Sequence, residues 1–482
     1  MSGEFSGDFT RDSFDPQKHF LRVLMQQGRV QVDADWNEQV AILLHYLQTL
    51  AEDLIGPHGA PVGRSGFKIT FDTQEDVKNN NILDFQISTG NYYVNGILCQ
   101  NHKIDKNGYE LPYIKYYKQP NCPLNPGQDK LPDLPFLVFL DVWERHITYI
   151  QDEEIREVAL GGTDTATRSQ VIWQVKVEKL DKDATKCTDE DWKELLEKWQ
   201  PKNRGLLAAK AKETTEQNET CSIKSDTRYR DKENQLYRVE IHADSTGKAT
   251  FKWSRENGSV IFPIDADSGV EITGTTITLQ LKHWWHDYRF GLTEGDWVEI
   301  VNDYISLNQL AKPLWKVGKI EPESFLVTLT REESSECALT QNIGKHPFLR
   351  RWEQKEKSGL KLINGAVPID EATTDWFTLE DGVQIKFKQS EFGENYRMGD
   401  YWLIPARIAT GDVEWRKSAD GKPLALPPHG VEHHYAPLAV IASKEGAEDC
   451  RRQFYSLTRS YYYMGSTTGI GSDLIWTDAN VQ

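Results

Sequence analysis

Apolar residues recur at alternating steps of four and three near the N-terminus, at Trp36, Val40, Leu43, Leu47, Leu50 and Leu54. That spacing predicts an α-helix with the seam of a coiled coil. Asp33 or Asp35 is placed to cap it, Gly56-Pro57 ends it after Ile55, and Leu44 and Ala51 widen the stripe. So few heptads fit two readings: an amphipathic helix laid on its own domain, or a helix packed between subunits. Upstream, Asp15-Pro16 offers an N-cap followed by a proline at the first helical position, which predicts a short helix to about Gln27, stopped by Gly28. Val30 and Val32 suit a brief extended link. Residues 1–60 therefore read as an extended arm through Ser13 followed by a helical hairpin.

From Phe67 the period drops to two. FKITF, ILDFQIS, NYYVNGILCQ and PFLVFLDVWERHITYI are strand-like runs between Asn, Gly, Asp and Pro, and they predict a first antiparallel β module over residues 61–178. Residues 179–235, rich in Lys, Glu, Asp and Thr, read as a charged surface insertion, since such charge density is not buried unpaired. It carries one helix, TDEDWKELLEKWQP, capped by Thr188 and ended by Pro201. Alternation resumes over 236–448, a second β region that fits two small barrels. Within it Asn257-Gly258, between FKWSRE and SVIFPI, predicts a hairpin, because both central positions of a type I′ turn need positive φ. Gly295-Asp296-Trp297-Val298 and Gly399-Asp400-Tyr401-Trp402 echo each other, each placing a glycine turn before an aromatic strand. Residues 449–482 are rich in Tyr, Ser, Thr and Gly and read as a C-terminal arm that orders against a neighbour. The expected fold is mainly β with short α segments: antiparallel β modules, as sandwiches or small barrels, preceded by an N-terminal helical hairpin.

Composition sharpens this picture. With 15 Trp, 19 Tyr and 18 Phe the chain is rich in residues that pack on pleated surfaces. A net charge of −17 would repel a phosphate backbone, so no nucleic-acid partner is expected. Cys99, Cys122, Cys187, Cys221, Cys337 and Cys450 show neither a CxxC pair nor zinc-site spacing, and a reduced compartment is the economical reading. No signal-peptide core and no apolar run of about 18 residues is present, which points to a cytoplasmic protein whose membrane contact, if any, is indirect.

The chemical motifs are sparse. GxxxxGK[ST], GxGxxG and GxSxG are missing, and Gly161-Gly162 with Arg168 reads as a connecting loop with an anchoring cation. PPHGVEHHYAPLAVI brings His429, Glu432, His433 and His434 together, but adjacent histidines on a strand face opposite ways, so hydrogen bonding around a turn is favoured over a metal site. Asp141 and Glu144 are the best carboxylate pair for glycan cleavage, yet three residues apart on a strand they also face opposite sides. His283, Trp284, Trp285, His286 and Tyr288, with Asp287, form an aromatic cluster that reads either as a contact patch for carbohydrate or protein or as a plug at a barrel end. No catalytic residue, cofactor or metal is assigned.

The opening FTRDSFDPQKHFLRVLMQQGRVQVDADWNEQ, followed by IREVALGGTDTATRSQVIWQVKV, RVEIHADSTGKATFKWSRENGSV, HPFLRRWEQ and GDYWLIPARIATGDVEWR, resembles an uncharacterised bacterial family encoded near phage-tail-like contractile injection genes, notably in cyanobacteria. The resemblance covers most of the chain. It implies a non-enzymatic structural subunit of a phage-tail-like particle, at the baseplate or at the tail-fibre or anchoring end, with baseplate, fibre or sheath-tube proteins as partners. A homo-oligomer is expected, with a trimer favoured. The competing expectation is a carbohydrate- or surface-binding protein, with glycan cleavage as one form of it.

Overall fold

The computed structural model describes residues 3–455 except 72–76, 79–80, 126, 181–186, 201–203, 213–228, 230–232, 244–247, 284–290, 311–312, 332–342, 357–359, 374 and 389–395. The fold is mainly β, in sheets that pair antiparallel, as the alternation predicts, except where Gln453–Phe454 runs parallel to His58–Pro61. Its strands surround three cores, and the chain nests them.

The first core lies between two four-stranded sheets. One runs Arg168–Lys179, Phe136–Ile147, His434–Ile441 and Glu448–Asp449; the other runs Gln453–Phe454, His58–Pro61, Gly90–Val94 and Ile97–Asn101. Phe67, Phe85, Tyr92, Val138, Leu140 and Trp173 fill the space between. The module read over 61–178 is thus completed by residues 434–454, and the boundary drawn at 448 falls inside it. The second core, around Tyr237, Trp253, Ile385 and Trp402, holds the five-stranded sheet built on Gln235–Ala243 and the three-stranded sheet of Leu206–Ala211, Val383–Lys388 and Phe377–Thr378. Between its strands the chain makes a seven-stranded sheet, Ile261–Pro263 through Phe348–Trp352, around Val298, Trp315 and Leu349. The third unit is therefore inserted in the second, and the second in the first.

Several local expectations change for physical reasons. Asn257 and Gly258 adopt positive φ of 50° and 67°, as a type I′ turn requires. They close no hairpin: Thr250–Ser254 belongs to the second unit's sheet and Ile261–Pro263 to the third, so the turn hands the chain from one to the other. The two Gly-Asp echoes are equivalent corners. Gly295 N–H donates to Val317 O and Val317 N–H to Asp296 O; likewise Gly399 N–H donates to Ile241 O and Ile241 N–H to Asp400 O.

The charged insertion is only partly a surface feature. Leu206–Ala211 is a core strand paired along its length with Val383–Lys388. The helix α1 spans Asp33–Ile55 and the helix α2 spans Asp189–Trp199. Trp192, Leu195 and Trp199 of α2 cover Leu137, Phe139 and Val440, with Trp199 stacked on Phe139 at 4.3 Å. Cys187 and Cys450, which the spacing left as separate thiols, are joined by a disulfide with a Cα separation of 5.8 Å, tying the start of α2 to the first unit.

The N-terminal segment also departs from expectation. Where a first helix to Gln27 is predicted, one 3-10 turn forms over Pro16–Lys18, capped by the Asp15 side chain. The arm before it is bound by all three units. Gly3 bridges Glu144 and accepts a hydrogen bond from the Tyr401 hydroxyl at 2.7 Å. Asn257 donates to the carbonyls of Phe5 and Gly7, and Arg350 donates to Ser6 and pairs with Glu4. A buried ionic chain runs Arg238–Glu240–Lys252–Glu299–Arg350 beneath it, linking the second unit to the third.

Candidate functional site

The helix predicted from the four-three spacing is α1, and its surroundings are inverted relative to an ordinary surface helix. Three of its five carboxylates accept hydrogen bonds from other segments of its own chain. Asp33 does not cap the helix but accepts from Thr10, while Val32 stands at the N-cap without a side-chain bond. Glu38 accepts from Ser13 and Glu52 from Asn95. Ile42 is 1 % exposed, and Gly96, at φ 75°, lies so close under the helix that a Cβ there would come within 2.1 Å of the Gln48 carbonyl oxygen. The opposite side carries the stripe.

That stripe is uncovered: Trp36, Val40, Leu43, Leu47, Leu50 and Leu54 are between 41 % and 73 % exposed, and Leu44 and Tyr46 flank them outside as well. The reading in which the seam packs on its own domain does not describe this arrangement. Residues 20–32 extend the surface, with Phe20, Leu21, Leu24, Met25 and Val30 all exposed and Val23 N–H bonded to Gln39 of the helix. No Asp, Glu, Lys or Arg occurs in α1 between Glu38 and Glu52. Isolated exposed apolar residues need no explanation, but a contiguous stripe of this extent marks an interaction surface.

The second feature is the junction of the three units, where the sequence-selected Asp141 and His433 meet. Strand Phe136–Ile147 lacks clean alternation because both faces are buried. From Phe136 to Val142 its even positions fill the first core, while Leu137 and Phe139 face α2 and Asp141 faces the junction. Asp141 Oδ1 lies 2.6 Å from His433 Nδ1 and Oδ2 lies 2.6 Å from Lys176 Nζ. Burial alone would raise the Asp141 carboxyl, but the His433 hydrogen bond and the Lys176 charge outweigh it and hold it below the usual range. An ionised carboxylate makes His433 Nδ1 the donor, and Nε2 lies 2.5 Å from the Gln309 amide nitrogen.

The other selected residues do not join them. Glu144 leaves the opposite face of the strand and accepts from Ser169, while Arg145 pairs with Asp303 rather than with its neighbour. Asp141 and Glu144 thus form no catalytic pair. His429 packs against Tyr401 and is held near pH 4 by burial, and burial also lowers His434. Among the described residues no group of three His, Cys, Asp or Glu side chains is arranged to hold a metal. Gly161 and Gly162 take positive φ in a loop, and Arg168 reaches the Thr167 carbonyl. His283 approaches the Tyr149 hydroxyl at 3.4 Å; Trp284, Trp285, His286 and Tyr288 lie outside the described residues, as does most of the C-terminal arm. No described helix is long and apolar enough to cross a membrane.

The Asp141–His433 contact was missed by sequence reasoning because 292 residues separate its partners. Over residues 5–208 and 185–466 the chain matches the model of a family described as a family of unknown function (DUF6519). Neither a curated protein nor a solved structure matches it.

Proposed function

Because the chain belongs to the DUF6519 family, whose description assigns no activity, we propose from its geometry that it is a non-enzymatic structural subunit that assembles with copies of itself through the apolar face of α1. The observation that carries this reading is the inversion of α1: Asp33, Glu38 and Glu52 are bonded to its own chain while the leucines stand uncovered. A second copy is the occupant that fits best. A four-three seam is complementary to another such seam, knobs meeting holes. The length from Gln39 to Ala51 carries no Asp, Glu, Lys or Arg to set like copies against each other. Leu44 and Ala51 broaden the stripe beyond one seam, which favours more than one neighbouring helix and hence a trimer.

The setting we propose is a phage-tail-like contractile injection particle, at its baseplate, tail-fibre or anchoring end, on the strength of the sequence resemblance. The nested, arm-locked body suits a rigid spacer there. Two measurements separate these levels. Sedimentation velocity on the purified chain tests self-association, and a solitary monomer at tens of micromolar would overturn it. Imaging of the intact particle tests the setting, with density for this chain as the expected result and its absence as the refuting one.

A further inference from the structure

A cavity of about 570 Å³ opens where the three units meet, in the size range of small-molecule sites and at the inter-domain position they favour. Its hydrogen-bonding capacity is lopsided. The acids are committed: Asp141 receives Lys176 and His433, Glu240 receives Arg238 and Lys252, and Glu4 pairs with Arg350.

The cations keep donors in reserve. Lys176 spends one of its three ammonium hydrogens on Asp141. Arg204 directs Nε and Nη2 to Asp400, and Nη2 also reaches the His429 carbonyl. Arg397 gives Nη2 to the Val431 carbonyl and holds Nε 3.5 Å from Asp400. Among the described residues no acceptor meets Nη1 of either arginine. Their side chains, with Lys176, are 21–39 % exposed, so solvent reaches them. They come from three separate segments, which makes this a convergence rather than a run of surface charge. Beside them stand the rings of Trp199 and Tyr435, with centroids 5.0 Å apart, and the amide of Gln309.

We propose that this cavity binds a monosaccharide bearing an anionic group, carboxylate or phosphate, with the anion on Lys176, Arg204 and Arg397 and the ring against Trp199 and Tyr435. Surplus donors call for an acceptor-rich, negatively charged ligand, since planar guanidinium groups match carboxylate and phosphate geometry. The aromatic wall and the amide give the remainder of the ligand an apolar face and a hydrogen-bonding edge. This site is independent of the α1 surface.

The test is calorimetric titration of the full chain, with tryptophan fluorescence in parallel, using glucuronate, glucose 6-phosphate, glucose and inorganic phosphate as probes. Binding of glucuronate or glucose 6-phosphate is expected, weakened by added salt, with glucose at least tenfold weaker; which of the two binds tells carboxylate from phosphate. Lys176→Gln and Arg397→Gln, each checked for an unchanged melting profile, are expected to weaken it at least tenfold. Two variants guard against one that fails to fold. Absence of binding by both anionic sugars, equal binding of glucose, phosphate binding as tightly as the sugar phosphate, or folded variants with unchanged affinity would each overturn the proposal.

Discussion

Replacing Leu43 and Leu47 together with aspartate separates an interface helix from a core helix. The two leucines are 53 % and 62 % exposed in the single chain. Full burial of a leucine contributes about 1.5–3 kcal/mol, so each retains roughly 1 kcal/mol or more to be gained on assembly. The double substitution forfeits at least ~2 kcal/mol per protomer and forces two carboxylates to be desolvated, a cost in the same direction. At 1.4 kcal/mol per tenfold, association should weaken on the order of 100-fold for each protomer, which moves a micromolar oligomer to monomer. The monomer should keep its fold, since exposed substitutions away from special features stay within about 0.5 kcal/mol. Ile42→Asp is the contrast: one residue away and 1 % exposed, it should cost several kcal/mol, as large-to-small changes alone cost about 2–5 at such sites. The assay is sedimentation velocity with circular-dichroism melting for all three proteins. An unchanged oligomer in the double variant refutes the interface, and a melting loss equal to that of Ile42→Asp shows the stripe to be intramolecular core.

Other consequences are equally measurable. Arg350→Met removes the arm's bonds to Glu4 and Ser6 and leaves Glu299 short of a cation, so a loss of about 3–5 kcal/mol is expected in urea unfolding. His146 lies under the rings of Phe5 and Phe9, and burial first, then Arg350, lowers it to about 4. The unfolded chain therefore takes up this proton first, and stability should fall on the order of 2 kcal/mol as pH drops from about 6.5 toward 4, a loss that His146→Gln should flatten. Glu256 works in the opposite sense. Burial, then Asp8, raises it to about 7, so its contribution is full below about pH 4.5 and lost as pH rises through 7, and Glu256→Gln should remove that slope in the same titration. Reduction of Cys187–Cys450, which spans 263 residues, should cost about 2–4 kcal/mol and lower the melting temperature, with Cys187→Ser insensitive to reductant.

What the sequence disclosed was local. Periodicity identified α1 and most strands, and Asn257-Gly258 announced its backbone conformation, because both follow from side-chain sterics within a few residues. Pairing is not local. Nothing near Asn257 says that the strands on either side belong to different sheets, and nothing near His434 says that its strand returns to Phe136–Ile147. Periodicity likewise shows that a stripe exists but not what covers it. The bonded carboxylates of α1 depend on Thr10, Ser13 and Asn95, whose positions the spacing of leucines does not encode. Leu206–Ala211 was hidden by charged neighbours on both sides, and Asp141 by a strand buried on both faces.

The nesting explains why the free surface falls where it does. A unit is inserted in another, itself inserted in a third, and where they meet the chain places buried ions and its N-terminal arm. Buried ion pairs gain little stability over apolar packing but penalise misplacement heavily, so they fix the relative placement of the units. The arm then emerges on one side and delivers α1 outside all three cores, against the first unit at Gln48 and Glu52. A helix so attached contributes little to the body's core, and its leucines persist outside because burial awaits another chain. The same logic separates the two proposed surfaces: disrupting the α1 stripe should leave the junction cavity's affinities unchanged, and a loss of both together would contradict a body held rigid from within.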